Sequence, residues 1–211
     1  MKSGRMKRGV AARRLVVLEE LRFILGMADL SPKRMVRAVA AHLAIGGDYC
    51  IADMIEPGGS LRRLEIAHAD PSRRERLRVT ADETHLARGG RVATLLASGG
   101  AEVVPRLTRA AAARASDIVL LQGETFGSYM SASIMVSGAP MVLLTVVACQ
   151  NGRQFDADEL GFLKVVGEWT GLGLENALRR ELHPHASVPP PSAAFPSVEP
   201  ASGRTRIVRA R

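Results

Sequence analysis

Two cysteines, three histidines in the body of the chain and a cluster of arginines are the residues that could carry chemistry, and their spacing decides which chemistry stays open. Cys50 and Cys149 sit in apolar, strand-like runs. They have no Cys-x-x-C spacing and no basic neighbour to lower a thiol pKa, so both read as small buried hydrophobes. His42, His68 and His85 stand singly, and His68-x-Asp70 is too common a pattern to specify a metal. Arg73, Arg74, Arg76 and Arg78 could face a phosphate or nucleic acid. Glu75 interrupts them, however, and no aromatic is interleaved to stack a base, which makes a solvated face the simpler reading. The chain carries no phosphate-cradling Gly-x-x-x-x-Gly-Lys, no Gly-x-Ser-x-Gly elbow and no His-Glu-x-x-His helix. What remains is neutral: Tyr129, Ser131 and Ser133 at alternating positions of one apolar run, and Thr145 in the next. Alternation puts the first three on one face of a strand, where their hydroxyls could hydrogen-bond a small molecule.

The stretch from Ser128 to Leu182 positions these residues. Ser128 to Val136 and Pro140 to Cys149 are rich in β-branched and apolar residues, and Ser137-Gly138-Ala139-Pro140 supplies the reversal of a hairpin. After Gln150-Asn151-Gly152, Asp156 and Glu159 form the acidic version of a capping box, so a long helix starts near Asp156. Leu160, Leu163, Gly167, Thr170, Leu174 and Ala177 make one helical stripe, and Phe162, Val166 and Trp169 make a second.

Upstream, Val10 to Met27 has the spacing of an amphipathic helix, and Ser31-Pro32 opens another that runs to about Leu43. Strands follow at Tyr49 to Ile55 and Leu61 to His68, turned by Glu56-Pro57-Gly58-Gly59. Between the hairpins, Pro71 to Val79, Arg91 to Ala97 and Thr108 to Ala115 read as helical, the last continued through Asp117 to Leu121, with a short strand at Ala101 to Val104. Hairpins with helices grouped at both ends predict the α+β class: a central antiparallel sheet with N- and C-terminal helices packed on one face.

The formal charge of +8 is concentrated at the ends. Residues 1–14 hold six Lys or Arg and no acid, and residues 183–211 hold four Arg against Glu199. Without these the body carries 19 basic against 20 acidic residues, so basicity is a property of the tails. The domain division is therefore a basic N-terminal tail (1–14), a central domain (15–182) and a Pro/Ser/Arg-rich tail (183–211) expected to be disordered. No apolar run approaches the ~18 residues of a membrane span, so no membrane anchor is read and a cytoplasmic location is expected.

The run Asn151-Gly152-Arg153-Gln154-Phe155-Asp156-Ala157-Asp158-Glu159-Leu160, leading into a helix that exits through Gly173-Leu174-Glu175-Asn176-Ala177-Leu178, resembles the C-terminal half of GAF domains, of the type found in bacterial two-component sensor proteins. Leu30-Ser31-Pro32, Asp48-Tyr49-Cys50-Ile51-Ala52-Asp53, Ala67-His68-Ala69-Asp70-Pro71 and Glu102-Val103-Val104-Pro105 extend the resemblance over about Leu30 to Leu182. It implies a central antiparallel sheet with terminal helices on one face and a small-molecule pocket on the other. Ser133 stands where such domains commonly have proline, and Val142 where they commonly have glycine. Asn151, Phe155, Asp158 and Glu159 echo the motif of cyclic-nucleotide-binding members without its lysine and with compressed spacing; a helix cap and a packing Phe explain them as well. The methionine-sulfoxide-reducing members need reactive cysteines on pocket loops, a requirement that Cys50 and Cys149 do not meet.

The resemblance thus implies a non-catalytic sensory module that binds a small ligand, with Tyr129, Ser131, Ser133 and Thr145 as candidate contacts, and signals through its terminal helices. No cofactor is specified, and a sensor kinase or another signalling protein is the expected output partner. A homodimer is expected through Leu18, Leu21 and Leu25 of the first helix and Leu160, Leu163, Leu174 and Ala177 of the last, whose stripes exceed what one sheet face covers. The competing arrangement has these helices completing the core of a monomer. Two other functions stay open: a ligand-free dimerisation scaffold, and nucleic-acid or acidic-partner binding through the basic tails.

Overall fold

The computed structural model describes residues 2–27, 29–44, 48–56, 60–75, 85–86, 90–97, 100–108, 127–148 and 153–183. In chain order these form α1 (Lys2–Gly26), α2 (Pro32–Leu43), β1 (Tyr49–Ile55), β2 (Leu61–Ala67), β3 (His85–Leu86), α3 (Gly90–Ala97), β4 (Ala101–Val104), β5 (Ser128–Val136), β6 (Ala139–Ala148) and α4 (Ala157–Leu182). Six strands make one antiparallel sheet in the order β3-β2-β1-β6-β5-β4. The expected helices at Thr108 to Ala115, beyond Thr108 itself, and Asp117 to Leu121, together with Cys149 and the C-terminal tail from Pro184, lie outside the described residues.

Strand β6 is hydrogen-bonded to β1 on one side and β5 on the other, and every residue from Val142 to Ala148 is buried. Burial on both faces requires a near-continuous apolar run, which this segment supplies. Its even-numbered residues, Val142, Leu144, Val146 and Ala148, join Cys50, Ala52, Met130, Ala132 and Ile134 in a core shared with α1, α2 and α4. The odd-numbered residues, Leu143 and Val147, belong to separate clusters away from those helices. Terminal helices therefore cover one face only, as the α+β reading requires.

The β5–β6 turn is built by Ser137 and Gly138, with φ of 50° and 81°. Two successive left-handed residues make the turn whose twist matches that of paired strands. Helix α4 starts as its sequence dictates: the Asp156 carboxylate accepts the Glu159 N–H at 2.9 Å, and the Glu159 carboxylate accepts the Asp156 N–H at 3.2 Å. In α2, Ser31 occupies the N-cap but its hydroxyl makes no capping bond, so Pro32, with its preset φ, is what favours the start there. Helix α1 begins at Lys2, not near Val10, and so absorbs the segment expected to be a tail. Lys, Arg, Met and Ala are good helix formers and no proline interrupts them. Strand β3, two residues paired with β2, has no sequence period long enough to announce it.

The leucines expected at a dimer interface are placed differently. Leu21, Leu25, Leu163, Leu174 and Ala177 are buried in the chain's own core, with Leu18 and Leu160 packed at its margin. The reason is α2, whose Met35, Val36, Val39 and Ala40 fill the space between α1, α4 and the sheet and so use apolar surface that a sheet face alone would leave over. Exposed apolar side chains remain at Leu15, Val16 and Phe23 on α1 and at Val165, Leu172 and Leu182 on α4. Among the described residues, no helix is long and apolar enough to cross a membrane.

Close approach of α4 to β5 requires Gly171, where a Cβ would collide with the Met135 carbonyl oxygen, whereas a Cβ at Gly161 would meet nothing within 4 Å. Gly171→Ala is expected to destabilise the fold by about 1–3 kcal/mol, and Gly161→Ala to stabilise it by roughly 0.5–1 kcal/mol. Urea unfolding of the two variants checks this contrast; equal effects would contradict the packing.

Candidate ligand-binding face of the sheet

On the face away from the terminal helices, neighbouring strands align their side chains by register. Thr145 of β6 pairs with Ile51 of β1 on one side and Ser131 of β5 on the other. The Ser131 and Thr145 hydroxyls lie 3.0 Å apart, both buried. One register step along, Val147 separates Tyr49 from Tyr129, and these three pack with Ile51 and Ile66. Tyr129, Ser131 and Thr145 are thus brought together as the sequence suggested.

Ser133 is not part of this group. It is half-buried beyond the end of β4, where its N–H donates to the Gly100 carbonyl at 2.6 Å, and it borders a small cleft with Lys164 and Glu168.

Two features of this face escaped the sequence. The first is a buried ion pair: Arg63 Nε donates to Asp53 Oδ1 at 2.9 Å and Nη2 to Oδ2 at 3.3 Å, with the side chains 2% and 1% exposed. A register shift between Ala52 and Asp53 aligns Asp53 with Arg63 in the β1–β2 pair. Buried charges this close hold because each satisfies the other, and removing one strands its partner. The second is His68, whose ring lies 4.5 Å from that of Tyr49. The Asp70 N–H donates to His68 Nδ1 at 2.8 Å, which in the neutral ring places the proton on Nε2. That Nε2 is buried and has no hydrogen-bond partner among the described residues. An unmet buried donor costs about 1–3 kcal/mol. The His68-x-Asp70 pattern was visible in the sequence, but its geometry was not.

Cys50 lies on the opposite face, fully buried among the helix-side core residues. Burial, reinforced by the Asp53 and Glu65 carboxylates, pushes its thiol far above the ordinary range and keeps it protonated. Phe155 is buried and Glu159 is taken up by the helix cap, so both serve the start of α4. The arginines after Pro71 begin in a short helical turn at residues 71–75, where Arg74 is exposed and the half-buried Arg73 reaches Asp70 at 4.0 Å.

Comparison with known proteins accords with this geometry. The GAF domain family model matches residues 33–174, more than half of the chain. Similar solved structures include the GAF domain of a phosphoenolpyruvate-protein phosphotransferase from Coxiella burnetii, at 15% identity and a TM-score of 0.62, covering 82% of this chain and 98% of that one. The phycoerythrobilin-bound GAF domain of a cyanobacterial phytochrome has 14% identity and a TM-score of 0.61, covering 81% and 99%. Free methionine-R-sulfoxide reductase from Neisseria meningitidis, solved with its substrate, has 14% identity and a TM-score of 0.59, covering 80% and 92%. No curated protein matches the sequence. The chain belongs to the GAF domain family.

Asp53→Ala leaves the Arg63 guanidinium buried without its carboxylate and is expected to destabilise the fold by about 3–5 kcal/mol. Arg179→Ala, which removes an exposed pair with Glu175 at 2.7 Å, should change stability by less than about 1 kcal/mol. Chemical denaturation of both variants measures the difference.

Proposed function

We propose that this GAF domain is a non-catalytic sensory module that binds a small ligand on the sheet face away from α1, α2 and α4 and signals through those helices. The observation that carries this reading is the set of buried polar groups on that face: the Ser131–Thr145 hydroxyl pair and the His68 Nε2–H. An apolar surface holding a few convergent polar groups is the general composition of a small-molecule site. Tyr49 and Tyr129 add aromatic surface for an apolar ligand body. The bilin-bound phytochrome domain of similar fold supports the same use of the family's architecture. Sulfoxide chemistry of the kind named for the Neisseria enzyme needs an accessible thiolate, and Cys50 is a buried, protonated thiol on the other face.

Output through a second copy of the chain is the second part of the reading. Val165, Trp169 and Leu172 follow at spacings of four and three along α4, and Val16 and Phe23 are seven apart on α1. Of these, Val16, Phe23, Val165 and Leu172 are exposed in the single chain. Covering a few hundred Å² of such surface favours association by several kcal/mol, at about 25 cal/mol per Å², before docking costs. Two copies joined along these helices would carry a ligand-induced shift of the sheet to the chain ends and to a partner signalling protein.

Native mass spectrometry of the full chain is expected to report a small molecule, retained or added from a metabolite library. Binding should weaken at least about tenfold in His68→Phe and in Thr145→Val. Binding unchanged by both substitutions, or a bare chain that no compound stabilises, would favour a ligand-free scaffold instead. For the second copy, sedimentation at micromolar concentration should give a dimer that Phe23→Glu with Leu172→Glu converts to a folded monomer. A monomer in the unmodified protein would contradict it.

A further inference from the structure

A separate cleft of about 220 Å³ opens on the helix side of the sheet, where α1, α2 and the approach to α4 meet β5 and β6. Met130, Val146, Phe155 and Phe162 supply apolar walls, and Arg14, Asp48, Arg153 and Glu159 supply the charges. Nothing in the family assignment gives this place a role, because the sheet lies between it and the face described above.

The two arginines differ in what they are free to do. Arg153 is held by Asp48 at 3.0 Å and Glu159 at 3.3 Å, with its guanidinium 5.0 Å from the centre of the Phe155 ring. Arg14 also lies over an aromatic ring, 5.6 Å from the centre of Phe162, but makes no ion pair among the described residues. His42, the remaining basic group of the lining, donates from Nδ1 to the Ala38 carbonyl at 2.8 Å and has Nε2 3.6 Å from the Glu20 carboxylate. Among the described residues, the cleft therefore joins apolar walls to a cation, Arg14, that has no carboxylate partner. Arg presents a planar fork that matches a carboxylate in two parallel hydrogen bonds.

We infer that this cleft binds a compact amphipathic acid, with its carboxylate on Arg14 and an apolar body of short-chain or single-ring size against Phe155, Phe162 and Met130. The volume is below the roughly 300–1,000 Å³ of pockets for drug-sized ligands, which excludes a long acyl chain from full burial. The residues that hold such a ligand come from α1 (Arg14), from β5 (Met130), from the approach to α4 (Phe155) and from α4 itself (Phe162). Its binding ties the first helix to the last, so it acts on the helix layer directly and not through the sheet.

The test uses the full chain labelled with 13C at its methionine methyl groups, with the Met130 signal assigned by Met130→Leu. Hexanoate and phenylacetate serve as probes, and hexylamine and hexanamide as controls. Saturable movement of the Met130 signal with the two acids is expected, with affinity at least about tenfold lower in Arg14→Gln. Arg14 is half-buried and makes no ion pair among the described residues, so this variant should fold as the parent does, which an unchanged melting transition checks. Absence of saturable movement, equal response to the amine or the amide, or affinity unchanged in Arg14→Gln would overturn the inference. None of these results depends on whether the other sheet face binds a ligand.

Discussion

Burial of β6 on both faces is the constraint from which the rest of the architecture follows. A strand paired on both sides, with Val142 to Ala148 wholly buried, must be apolar on both faces, and any polar group it carries must be answered within the protein. Thr145 is the one polar residue of that run, and its hydroxyl meets that of Ser131. A register slip of one residue would turn Thr145 into the helix-side core and Leu144 out of it, so pattern and register fix each other. The turn at Ser137 and Gly138 enforces the same register from the end of the hairpin.

The two faces of this strand then take different work. Its even-numbered residues anchor α1, α2 and α4, and the odd-numbered ones face the buried hydroxyls, tyrosines and Asp53–Arg63 pair. Ser128 joins the two regions through a single hydroxyl, which donates to the Val104 carbonyl at 2.9 Å and accepts the Phe155 N–H at 2.9 Å. It links the end of β4 to the segment entering α4, and provides a short physical connection between the candidate ligand face and the last helix. The capping box one residue after Phe155 makes that entry stiff.

Much of the fold was legible because local signals agreed with the tertiary arrangement. The α2 limits, β1, β4, the β5–β6 hairpin and the Asp156–Glu159 cap were all readable from periodicity, turn residues and capping residues. The site was legible only where period decided it, as for Tyr129, Ser131 and Thr145. Ser133 shares their parity, yet β4 ends beside it and leaves it half-exposed; strand length in a neighbour is not written in β5. The Asp53–Arg63 pair depends on a bulge between strands, and the His68 tautomer on a backbone N–H two residues away, so neither follows from residue spacing. The apolar stripes of α1 and α4 are legible in the sequence as stripes. Which partner they meet depends on α2 packing against both of them and the sheet, a three-body packing question that a single helix cannot answer.

The sheet face bearing Thr145 is proposed to hold a small molecule. A crystal structure of the full chain, purified in its native state and soaked with any compound that raises its melting temperature, tests this most directly. Density for that compound is expected beside Ser131 and Thr145, with an acceptor atom within hydrogen-bonding distance of His68 Nε2. A face packed solid by the chain's own side chains, with the compound bound elsewhere, would contradict it.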